Sequence, residues 1–150
     1  MKSSTFRILI WGVALGFLGF WAVLLGFWAS RFIPGLPVAD SMALMGSAMR
    51  NAADSVPAGR AEWILSAAHW YREVALPALV AVVLGGVVGP LRRPRPFEAI
   101  VAGLSFAVFS SLLGGSLSSP TWIGFVCFPF CLLGAETLAQ EFLSMAKRSA

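Results

Sequence analysis

The sequence predicts an all-α integral membrane protein: four transmembrane helices, both termini cytoplasmic, and two short amphipathic surface helices in the first outer loop. Three observations carry this reading. The 150 residues are 58% hydrophobic and only 12% charged, against about 25% charged in a soluble domain; with a mean hydropathy of +0.81, too few polar groups exist to cover a surface facing water. Apolar runs suited to crossing a hydrocarbon core about 30 Å thick recur four times. Arginine and lysine gather beside those runs on one side. The length allows one membrane unit, 1–150, with no separate soluble domain.

The first span is 8–30, without a charge between Arg7 and Arg31. It is longer than the roughly 7–15 apolar residues of a signal peptide and ends in the bulky "GFWAS", so it is expected to stay uncleaved. The second span is 74–91 and the third 97–117, joined by "RRPRP". Each arginine at mid-bilayer would cost about 2.5–3.5 kcal/mol, and prolines interrupt a helix. The stretch therefore reads as a basic turn closing a hairpin of the second and third spans. The fourth span, 120–139, follows "SLSSP", where Ser119 suits the N-cap and Pro120 the first helical position.

Orientation follows from charge. Lys2, Arg7, Arg92, Arg93, Arg95, Lys147 and Arg148 share one side, which the positive-inside rule makes cytoplasmic. The opposite side holds the segment 31–73. There Asp40 reads as an N-cap for a helix with Met42, Met45 and Met49 on one face, and Trp63, Ala67, Trp70 and Val74 form a second stripe. Both helices are expected to lie on the membrane surface, touching head groups or a docking partner.

Helices in lipid associate through close backbone approach, which small residues permit. Every span offers such a row: Gly12 and Gly16 in the first; Ala81, Gly85 and Gly89 in the second; Ala99, Gly103, Ala107, Ser111 and Gly115 in the third; Cys127, Cys131 and Ala135 in the fourth.

Signs of chemistry are sparse. His69, the only histidine, is the one candidate ligand for a haem or chlorophyll-type pigment, but haem commonly takes two axial ligands, so no cofactor is expected. Cys127 and Cys131 without a histidine nearby do not make a zinc site. Glu98 suits the start of the third helix. Glu136 is placed to pair with the arginine turn, and Arg92, Arg93 and Arg95 to meet anionic lipid. No nucleophile with a base and no paired carboxylates appear, so an enzyme is not expected. The net charge of +4 reflects span flanks, and no nucleic-acid partner is implied.

These observations favour a non-catalytic accessory or scaffolding subunit of a larger membrane complex, packing through small-residue seams. Its partners would be the lipid bilayer and other membrane subunits, or further copies of itself. The alternatives are a small oligomeric transporter or channel subunit, with "SSLLGGSLSS" lining a path, and a pigment- or lipid-handling protein. Nine arginines to two lysines point to a bacterial inner membrane from a GC-rich genome.

The orientation is open to test. With Cys127 and Cys131 replaced, single cysteines at Ser47 and Ser118 should react with an impermeant thiol reagent on intact cells, and one at Ser3 should not. Labelling at Ser3 before lysis reverses the topology.

Overall fold

The computed structural model describes residues 2–49, 58–91, 95–114 and 119–149, and among them every element is helical. Four helices are long and apolar enough to cross a membrane: Thr5–Ser30, Gly59–Leu91, Pro96–Leu113 and Ile123–Arg148.

Helix α1 covers Lys2–Ser30. It tightens as it stops: the Arg31 and Phe32 N–H groups bond three residues back, and the Ser30 hydroxyl donates to the Phe27 carbonyl at 2.7 Å. Gly35, at φ 85°, reverses the chain in a conformation that other residues rarely adopt. Helix α2, Pro37–Met49, opens on a proline whose fixed φ and missing N–H suit a first helical position. The Asp40 N–H donates to the Leu36 carbonyl at 3.1 Å. Asp40 is thus inside the first turn, four residues past the N-cap position expected of it, and still favours the positive helix end.

The second span differs most from expectation. Helix α3 (Ala58–Trp70), a wide π-helical turn (Tyr71–Ala75), α4 (Leu76–Val88) and a closing 3₁₀ turn (Gly89–Leu91) succeed one another without a break. The apolar rod runs from Gly59 to Leu91, 33 residues, or about 50 Å at 1.5 Å per residue. The helix expected to run into a span starting at 74 is continuous with that span. No proline or glycine lies between Gly59 and Pro77 to end it.

Helix α5 is Pro96–Gly114 and α6 is Ser119–Ser149. Helix α1 packs along α5 and α4 along α6; contacts of α1 with α4 and of α5 with α6 close the bundle. The order around the bundle is α1, α5, α6, α4, which sets α4 and α5 across a diagonal. The expected packed hairpin of the second and third spans is therefore absent, although their connection is short. Helix axes 8–10 Å apart make a diagonal of about 14 Å, and four linking residues extended at about 3.3 Å each suffice to cross it.

The two tight pairings are set by glycine. A Cβ on Gly16 would lie 2.5 Å from the Ala102 carbonyl oxygen, and one on Gly12 would lie 2.6 Å from a Val101 methyl. On the other pair, a Cβ on Gly85 would lie 2.5 Å from the Leu132 carbonyl oxygen, and one on Gly89 would lie 2.6 Å from that of Glu136. Backbone thus meets backbone. The Gln140 amide donates to the Gly89 carbonyl at 3.1 Å, satisfying a helix-end acceptor.

The third-span row turns inward in part. Ala99 is buried, and Gly103 receives the Pro129 ring of α6. Ala107 is half-buried against the core, and the Ser111 hydroxyl folds back on the Ala107 carbonyl at 2.8 Å. Gly115 lies outside the described residues. At the centre Phe106 stacks on Phe128, centroids 4.6 Å apart, and Gly19 makes room for the Phe128 ring. Large apolar side chains such as Leu79, Val83, Leu112 and Phe130 point outward, as a lipid environment requires.

Neighbouring glycines give a controlled test. Gly85→Leu should lower stability in detergent by about 1–3 kcal/mol or more through overpacking, while Gly86→Leu, with nothing within 4 Å, should be nearly neutral. Gly103→Leu against the outward Val108→Leu should split the same way. Equal heat-resistant monomer within each pair, read by size-exclusion chromatography, removes the packing account.

Candidate functional site

The pairs α1–α5 and α4–α6 meet each other less closely than their members do, and a cleft of about 180 Å³ opens between them. All four spans line it: Phe20 and Phe27 of α1, Arg72, Glu73 and Pro77 of the second span, Phe106 and Ser110 of α5, and Phe125 of α6. Phe20 and Phe106 belong to the middle of their helices, so the cleft reaches well into the bundle.

Its polar feature is an ion pair on the π-helical turn. The Arg72 Nε donates to Glu73 Oε1 at 2.7 Å, and Nη2 approaches the same oxygen. The two ends differ in exposure: the Glu73 side chain is 8% exposed and that of Arg72 43%. On the lining of the cleft the carboxylate is thus buried and the guanidinium partly exposed. In the wide turn the Leu76 N–H bonds to the Tyr71 carbonyl, five residues back. Gly124 of α6 packs on the Glu73 carbonyl, where any side chain would collide. Turn, glycine and ion pair therefore fix one another.

A second cavity, about 230 Å³, lies beside the first. Val38, Ser41, Met42 and Met45 of α2 and Leu65, Ala68 and His69 of α3 line it, and it also borders Phe27 and Arg72. Those two residues border both cavities and stand between them. The Arg72 guanidinium carbon is 5.8 Å from the Phe27 ring centre, with that of Arg31 at 5.0 Å. Such cation–π contacts hold a side chain in place while leaving it displaceable.

The residues singled out by sequence are dispersed. His69 is half-buried in the second cavity beside Met42 and Met45. Glu136, 4% exposed, lies at the opposite end, its backbone against Gly85 and Gly89. Glu98, 5% exposed, is in the first turn of α5 near Gly12. Arg95 is exposed, and Arg92 and Arg93 lie outside the described residues. Cys127 and Cys131 are free, half-buried thiols. Among the described residues no group of three or more His, Cys, Asp or Glu is placed to hold a metal ion.

Sequence reasoning left Glu73 at the end of the outer segment, 31–73. A signal for its burial was present. Glu73, Leu76, Pro77, Val80 and Ala81 follow helical spacing, and all five are buried. Phe27 gave no such signal, because aromatic residues are abundant throughout the first span.

Comparison of the chain with protein-family models, with curated proteins and with solved structures finds no match.

The unequal burial of the pair has a measurable consequence. Arg72→Ala leaves a carboxylate inside the bundle, whereas Glu73→Gln leaves a guanidinium that can turn to solvent. Arg72→Ala should cost about 1–3 kcal/mol and Glu73→Gln less, by thermal unfolding in detergent. The reverse order would place the carboxylate in water.

Proposed function

We propose that the protein is a small transporter-type membrane protein whose solute site is the cleft between its four spans. The observation that carries this reading is the pair of adjoining cavities that share Phe27 and Arg72 in their linings, with a buried carboxylate in the one between the spans. An intramembrane charge facing a bundle interior is a usual mark of a substrate or ion path. Ser110, from the polar stretch read as a possible path lining, faces that cleft. No catalytic step and no cofactor enter this reading.

Location and partners belong to the same proposal. The bias of Lys2, Arg7, Arg95, Lys147 and Arg148 toward one end favours both termini in the cytoplasm, and the arginine-rich composition a bacterial inner membrane. The second cavity then opens outward, beside α2 and α3. An oligomer of this chain is the natural working form for so small a transporter, and nucleic acid has no part in it.

A scaffolding subunit is the second reading. Its original support was a surplus of small-residue seams, yet Gly12, Gly16, Gly19, Gly85, Gly89 and Gly103 all meet other helices of the same chain. What favours it is Gly86, exposed among Val82, Val83 and Val87, where another helix can approach.

The test is water access. In a background lacking Cys127 and Cys131, a cysteine at Ser110 should react with an impermeant maleimide added from the α2–α3 side, and one at the outward Val108 should not. Arg72→Ala should speed the Ser110 reaction several-fold. Equal, slow labelling at both positions removes the transporter reading and leaves the scaffold.

A further inference from the structure

Resting on the transporter reading, we infer that the inner cleft takes a hydrophobic organic monocation, an aromatic amine or quaternary ammonium ion, and that Arg72 is the tethered cation it displaces from Glu73.

The charge arrangement selects the class. Glu73 is buried on the lining of the cleft, while Arg72 is half exposed. Both groups line the cleft with Phe20 and Phe106, and of the two only the carboxylate is buried. An anion there would face a like charge in a low-dielectric setting, where repulsion is strong. A neutral ligand would gain nothing from displacing the guanidinium.

The walls agree. Phe20, Phe27, Phe106 and Phe125 surround the cleft, and aromatic faces attract cations, quaternary ammonium ions above all. Arg72 already occupies one such position, 5.8 Å from the Phe27 ring centre. An incoming ammonium ion thus finds a carboxylate and an aromatic ring that already hold a cation. Arg72 has somewhere to go, because the neighbouring cavity also borders it.

Size limits the ligand. An apolar cavity of about 150 Å³ holds benzene, so a cleft of about 180 Å³ admits one aromatic ring, and a compact cationic head takes the place that the displaced guanidinium leaves beside Glu73. Benzyltrimethylammonium has that form. Neopentylbenzene is its uncharged counterpart, and benzylsulfonate its anionic one.

The experiment uses the full chain in lipid nanodiscs, with Cys127 and Cys131 replaced and Ser110→Cys as reporter. Benzyltrimethylammonium should slow maleimide labelling at least about fivefold, and the neutral and anionic probes should not. Glu73→Gln should raise the half-protecting concentration about tenfold or more. Arg72→Gln should lower it about tenfold, because the competitor is gone. A purely structural ion pair would make both variants weaken protection, and that result overturns the inference. Should Arg72→Gln not survive purification, Arg72→Lys carries the same test, since a shorter ammonium holds Glu73 through fewer contacts and should also lower the concentration. Protection by benzylsulfonate, or by none of the probes while Ser110→Cys still labels, rejects the cation and leaves the cleft standing. Absence of labelling at Ser110→Cys without any probe rejects the underlying transporter reading instead.

Discussion

Everything in this bundle depends on backbone meeting backbone at two glycine crossings. Lipid offers helices no hydrophobic reward for touching, so the attraction must come from dense packing. Gly12 and Gly16 let α1 settle on the carbonyls of α5, and Gly85 and Gly89 do the same for the second span on α6. Having drawn these two pairs close, the chain cannot draw all four helices equally close. The pairs meet through larger side chains, chiefly Phe20, Phe106, Phe125 and Phe128. Rings leave gaps that glycines do not, and the cleft is the space so created.

The same division explains where charge can be tolerated. An isolated carboxylate inside a membrane bundle is costly, and pairing with a hydrogen-bonded guanidinium reduces that cost. Arg72 and Glu73 meet this condition as neighbours on one turn. Adjacent residues of a regular α-helix do not face each other; the long arginine side chain closes the distance here. Glu73 is also covered by Gly124 of α6, so the charged site is built on the crossing that holds the second pair.

Much of the fold was legible in the sequence because lipid imposes strict grammar. Uncharged runs had to span, and glycines at helical spacing had to mark crossings. The misreadings share a cause: punctuation stood in for geometry. The short arginine-rich connection suggested adjacent spans, yet four residues are enough to cross a diagonal. Arg72 and Glu73 resembled the end of an apolar run, yet the helix passes through them unbroken. The site was the least legible part. It depends on which faces of four helices converge, and a single sequence states faces only one helix at a time. Glu73 carried a clue in its spacing to Leu76 and Val80; Phe27, which borders both cavities, carried none.

The π-helical turn at Tyr71–Ala75 gives this protein one place where its length can change. A wide turn accommodates one residue more than regular winding would over the same rotation. Deleting a single residue within it would restore ordinary winding and leave α3 in its present phase against α4. The same deletion elsewhere in the rod would swing everything beyond it by about 100°. Related chains that are one residue shorter here should therefore carry the gap in this stretch, and such a gap should mark a protein that has lost the wide turn while keeping α3 in register with the bundle.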